Sequence, residues 1–219
     1  MKGLLLSLAL FFLSISGINA QNRCIRFLDD DWTVLLERAK KSRKLIFVDC
    51  YTSWCGPCKT LAKDIFTLDS VADFFNQHFL CVQFDMEKGK GLELKKTFEI
   101  RAYPTLLFVD GKQQIIHRIV GCDGPGFLME EARKALDPQL NFRVMQKRYV
   151  AGDRGATFIL EYLKYLDHAY MGEEANAVAL QYLQTFREEE LITVGNWKII
   201  EQYVTDPLAI PLQVVMKYR

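Results

Sequence analysis

Trp54-Cys55-Gly56-Pro57-Cys58, preceded by the apolar run Leu45-Ile46-Phe47-Val48-Asp49, is the stretch on which the reading of this chain turns. The run is short and rich in branched residues, which suits a strand buried on both faces, and a helical pattern starts just beyond it. The two cysteines therefore fall on a strand-to-helix turn. In the first turn of a helix the backbone N–H groups lack partners and the dipole is positive, so a sulfur there is held as thiolate. Cys55 is the expected nucleophile. Cys58, one helical turn on, lies within the roughly 5.5–6 Å Cα separation that a disulfide prefers and resolves a mixed disulfide. Pro57 costs little in the first turn, and Gly56 leaves room for another backbone. A structural zinc site needs a second cysteine pair or a histidine pair, whereas His78, His117 and His168 are scattered. A purely structural bridge is disfavoured as well, since so short a loop stabilises least. The expected chemistry is a redox-active Cys55–Cys58 disulfide with no metal and no other cofactor.

Residues 1–20 read as a separate object. Lys2 leads into apolar residues from Leu4 to Leu13, and Ile18-Asn19-Ala20 makes a signal-peptidase site, so a signal peptide cleaved after Ala20 and an exported protein, periplasmic or outside the cell, are expected. The competing reading, an uncleaved anchor, barely reaches the ~20 residues a span requires. All six cysteines (Cys24, Cys50, Cys55, Cys58, Cys81, Cys122) survive cleavage, into a compartment where disulfides persist. Without Lys2 the basic and acidic residues balance at 27 each, which points away from nucleic acid. The basic run Lys40 to Lys44 is read as a solvated helix end.

Along the rest of the chain, an acidic start at Asp29-Asp30-Asp31 opens a helix, Leu80 to Asp85 is a second strand, and Leu92, Leu94 and Phe98 mark a helix ahead of Pro104. Thr105 to Val109 and Ile115 to Val120 form two antiparallel strands around an Asp110-Gly111 turn, and Gly124-Pro125-Gly126 opens a last helix. Taken with the motif, Phe98-Glu99-Ile100-Arg101-Ala102-Tyr103-Pro104-Thr105-Leu106 and Val120-Gly121 make the chain resemble thioredoxin over residues 24–137. The stretch between Asp85 and Pro104 is more similar to secreted thioredoxin-like reductases and to the C-terminal domains of membrane thiol-disulfide transporters. The implied architecture is α/β, a thioredoxin fold with a mixed central sheet flanked by helices. Residues 138–219 read as a small all-α region of helical hairpins, with helices around Phe142–Tyr149, Phe158–Leu166, Val178–Leu183 and Ile192–Tyr203. No polar capping helix follows Asp206-Pro207, so an incomplete repeat-like array continuing past Arg219 is expected.

Asp49, a carboxylate at the end of an apolar strand, is costly unless it has a use. Desolvation raises its pKa and lets it exchange a proton with Cys58, the role the resemblance implies. That family often carries a lysine beside this carboxylate, and the matching position here is read as Cys81. The resemblance also implies a cis Tyr103-Pro104 peptide facing the cysteines. Tyr103 and Pro104, with Trp54, Gly56 and Pro57, then hold the substrate, while Trp54 walls the nucleophile from water. Cys122 follows Gly121 in the loop nearest the site and is read either as an accessory redox thiol or as inert core. Cys50 and Cys81 fit core, and Cys24 is free or paired.

The leading functional reading is an extracytoplasmic reductase of disulfides in exported proteins, recharged by a membrane or soluble thiol donor. An oxidase or isomerase with reversed electron flow, and a client-binding protein acting through its helical tail, are the alternatives.

Overall fold

The computed structural model describes residues 23–217. The expected signal segment, residues 1–20, lies outside the described residues. Among those described, no helix is long and apolar enough to cross a membrane.

The chain enters through α1 (Trp32–Ser42), strand β1 (Leu45–Tyr51) and α2 (Gly56–Thr60), which runs on into a wide π-type turn, Leu61–Ile65. Helix α3 (Asp69–His78), strand β2 (Phe79–Asp85), helix α4 (Lys90–Thr97), strands β3 (Thr105–Val109) and β4 (Ile115–Val120), and helix α5 (Pro125–Leu136) follow. The sheet order is β2-β1-β3-β4, with β1 parallel to β2 and antiparallel to β3, and β3 antiparallel to β4. This is the expected α/β thioredoxin fold. Residues alternate between faces along each strand. Ile46, Val48 and Cys50 pack under α1 and α4 with Trp32, Leu35 and Leu94. Phe47 points the other way, into a cluster with Phe75, Phe108, Leu61 and Leu128 beneath α2, α3 and α5.

The β3–β4 connection differs from a two-residue Asp-Gly turn. It is a wider loop in which Asp110 Oδ1 accepts the Lys112 and Gln114 N–H groups and Gln113 takes the left-handed conformation at φ 62°. Gly111 serves another purpose. A Cβ there would lie 2.7 Å from the backbone nitrogen of Lys40, so glycine lets the hairpin close on α1.

Beyond α5 come α6 (Phe142–Val150), α7 (Ala156–His168), α8 (Gly172–Leu183), α9 (Glu188–Leu191), α10 (Val194–Tyr203) and α11 (Ile210–Lys217). They share a core of their own built on Tyr162, Leu163, Leu166, Ala179, Leu183 and Ile200. The helix expected around Ile192–Tyr203 is α10, starting at Val194, and the short α9 before it is an addition, ended where Thr193 Oγ1 and Asn196 Nδ2 both donate to the Glu190 carbonyl. Helix α11 was not legible, since Pro207 and Pro211 mask its short pattern.

The tail covers β4, which would otherwise be an open sheet edge. A buried polar joint fixes it. His117 Nδ1 accepts the Phe142 N–H at 3.2 Å, so the ring's other nitrogen carries the proton and donates to Glu131 Oε2 at 2.8 Å. Lys134 Nζ lies 2.8 Å and His168 Nδ1 3.5 Å from Glu131 Oε1. Burial alone would raise the Glu131 pKa, but hydrogen bonds from His117, His168 and Lys134 outweigh it and hold the carboxyl well below the usual carboxylate range. Burial keeps His117 neutral by lowering its pKa. The joint thus contributes stability above the free carboxyl's value of 4.5, lost as the pH falls through the lowered one. Glu131→Gln should destabilise the protein by about 3 kcal/mol at neutral pH in urea unfolding, with the difference from wild type narrowing in acid.

Candidate active site

The end of β1 and the start of α2 set the centre. Cys55 is the residue before α2, with an extended backbone at φ −67° and ψ 108°, and its Sγ accepts the Cys58 N–H at 3.1 Å. The two sulfurs are bonded, with Cα atoms 5.3 Å apart. Pro57 occupies the first helical turn, and nothing lies within 4 Å of a Cβ placed on Gly56, so the approach above it is open.

Asp49 is 4% exposed and its Oδ1 has no hydrogen-bond partner. Desolvation raises its pKa from 3.8 to about 7. Asp49 and Cys58 both line one 220 Å³ cavity, which also takes in Thr52, Lys59 and Gln83 and is roomy enough for water. The sheet register corrects one expectation. The residue opposite Asp49 on β2 is Gln83, while Cys81 stands opposite Phe47. Cys81 is buried in the core, its thiol donates to the Phe75 carbonyl at 3.7 Å, and burial pushes its pKa up to about 12. Gln83 carried no sequence signal, because only the parallel pairing decides which β2 residue stands opposite Asp49.

On the other side of the disulfide, Pro57, Thr60, Leu61, Ile65, Pro104 and Cys122 line an apolar groove. The Tyr103–Pro104 peptide is cis, and the Pro104 carbonyl accepts the Gly121 N–H at 2.8 Å, which Gly121 reaches at φ 78°. Trp54 stands 64% exposed, with its ring edge-on to Tyr103 at 5.9 Å and its Nε1 donating to Glu87 Oε2 at 2.9 Å. Cys55, by contrast, is 3% exposed. Glu87 carried no sequence signal, since it lies in an exposed loop after β2. Cys122 is half-buried, donates to the Gly124 carbonyl at 3.4 Å, and has its pKa raised by burial. Cys50 is buried, with its pKa pushed well up by desolvation, and Cys24 is an exposed free thiol.

An N–H-supported cysteine pair, a buried carboxyl behind it and an apolar groove in front define a dithiol exchange centre on a mixed α/β sheet. The family model described as Thioredoxin-like matches residues 27–111. Thioredoxin H4 of Arabidopsis thaliana is 33% identical over 95 residues, 43% of this chain and 75% of that protein. Thioredoxin H3 of the same plant is 32% identical over 92 residues, 42% of this chain and 72% of its own. The chain is also similar to the solution structure of a candidate disulphide-isomerase from Bacteroides thetaiotaomicron, 43% identical, covering 54% of this chain and 98% of that one at a TM-score of 0.48. This chain belongs to the thioredoxin family and is a thioredoxin-like oxidoreductase built on the Cys55–Cys58 pair. The tail helices from Phe142 onward lie beyond the matched residues.

Asp49 also sets a stability signature. Because the fold raises its pKa, its neutral form is favoured, and its stabilising contribution is full below about 3.8 and lost as the pH rises through about 7. Asp49→Asn, which mimics the neutral carboxyl, should match wild type near pH 4 and exceed it by up to about 4 kcal/mol near pH 8, as read by denaturant unfolding of the oxidised protein.

Proposed function

We propose that this protein is an exported reductase of protein disulfides. The reading is carried chiefly by the cavity that Cys58 shares with the buried, unpaired Asp49, behind a Cys55 sulfur that accepts a backbone N–H. Cys55 thiolate attacks a client disulfide, forming a Cys55–client bond and releasing the client's other sulfur as thiolate. Asp49, with a pKa near neutrality, takes the proton from Cys58. The Cys58 thiolate then attacks the Cys55 sulfur, the mixed disulfide breaks, and the client leaves with both sulfurs reduced. Two electrons have passed to the client, and Cys55 and Cys58 are left bonded. A membrane or soluble thiol donor restores them, with no further cofactor. Trp54, Gly56, Pro57, Tyr103 and Pro104 hold the client strand, and Cys122, in the groove wall, is an accessory thiol at most. Lys2 and the apolar run to Leu13, ending at Ile18-Asn19-Ala20, support export by a cleaved signal.

Cys58→Ser should accumulate a mixed disulfide between Cys55 and client, seen on non-reducing gels and reversed by dithiothreitol, while Cys55→Ser yields none. No adduct, together with no reduction of insulin by wild type, contradicts the reading. N-terminal sequencing of the exported protein should begin at Gln21, and retention of Met1 in the cytoplasm contradicts export.

A further inference from the structure

We propose that the α7–α8 corner of the helical tail extends the client groove past Tyr103–Pro104 and receives the extended client main chain next to its reactive cysteine. The proposal rests on the exchange reading above and assigns the tail a part in choosing the substrate.

A cleft runs between the loop before Pro104 and the tail. Arg101, Ala102 and Arg118 stand on the sheet side, and Tyr170, Met171 and Glu174 on the tail side. It abuts the exchange site, since Ala102 and Thr105, on either side of Tyr103–Pro104, both line it. Ala102 is the residue before Tyr103, and the strand carrying Arg118 ends at Val120, one residue before the Gly121 N–H that binds the Pro104 carbonyl. A client strand laid along Tyr103 advances about 3.3 Å per residue, so its next few residues pass over this cleft.

The tail side is held rigidly. His168, the last residue of α7, lies 3.5 Å from the buried Glu131 carboxylate and packs edge-on against Phe127 at 5.1 Å. Ala169 is 3% exposed. Tyr170 then turns out in the left-handed conformation at φ 59°, 74% exposed. An aromatic side chain presented to solvent from an anchored corner resembles the residues that dominate protein interfaces. It shares the cleft with Ala102, the residue before Tyr103.

The sheet side supplies an unmet donor. Arg118 uses one terminal nitrogen on the Phe98 carbonyl, but its buried Nε–H has no partner. Such a group is rare in a folded protein and marks a place for an acceptor. Glu99 and Glu174 offset the charges of Arg101 and Arg118, so the cleft does not select anions. A peptide carbonyl oxygen is the acceptor that fits, with the neighbouring client side chain resting on Tyr170 and Met171. A disulfide without flanking residues reaches none of this.

The test compares two substrates at steady state, insulin and hydroxyethyl disulfide, using wild type, Tyr170→Asn and Arg118→Lys. Asparagine tolerates the left-handed backbone, and lysine keeps the charge while removing the Nε–H. Each variant should raise KM for insulin about fivefold at unchanged kcat and leave hydroxyethyl disulfide reduction unaltered. An unchanged insulin KM in Tyr170→Asn, with wild type reducing both substrates, overturns this proposal alone. So does an equal loss on both substrates. Wild type inert toward both overturns the exchange reading and this proposal with it.

Discussion

Strand β1 bonded on both edges and covered on both faces is the constraint from which the site follows. Parallel pairing to β2 and antiparallel pairing to β3 leave Ile46, Phe47, Val48 and Cys50 without solvent contact. Asp49 shares that strand and must share its burial, which is why its carboxyl is held near neutrality. Because β3 runs against β1, its first residue, Thr105, and the Pro104 before it arrive at the end where β1 passes into α2. The return strand β4 ends there too, bringing Gly121 and Cys122. Cysteine pair, carboxyl and proline loop are gathered by hydrogen-bond register.

The tail depends on the same sheet. β4 has one free edge, and the helices that cover it are joined to it through His117 and Glu131, both fully buried. The Phe142 N–H on His117 and the His168 ring beside Glu131 tie the tail to that buried pair, and removing one partner would leave the other buried polar group uncompensated. That placement sets the α7–α8 corner beside the proline loop, which gives an otherwise separate helical core a route to influence exchange.

Much of this was legible beforehand because the informative residues are local. Cys55, Pro57 and Cys58 lie within one helical turn of each other, and short continuous apolar runs mark β1 and β3 as buried on both faces. What the sequence hid is what only register or tertiary packing decides. Gln83 rather than Cys81 faces Asp49 because parallel pairing sets residue 45 against 79. His117 and Glu131 read as one residue on a strand and one on a helix, and nothing in their spacing announces that Phe142 closes the set. Gly111 lies in the turn its sequence marks, but its close approach to Lys40 of α1 carried no sequence signal. The break between α9 and α10 arises from side chains competing for one carbonyl, which periodicity cannot register.

The central claim is that the fold activates one sulfur of the pair. The direct measurement is the pH dependence of the rate at which iodoacetamide alkylates Cys55 in the reduced protein, followed by mass spectrometry. The account predicts an apparent pKa clearly below the ~8.5 of an ordinary thiol, with Cys58 alkylated far more slowly. A Cys55 profile that follows an ordinary thiol, or equal rates at both cysteines, contradicts it.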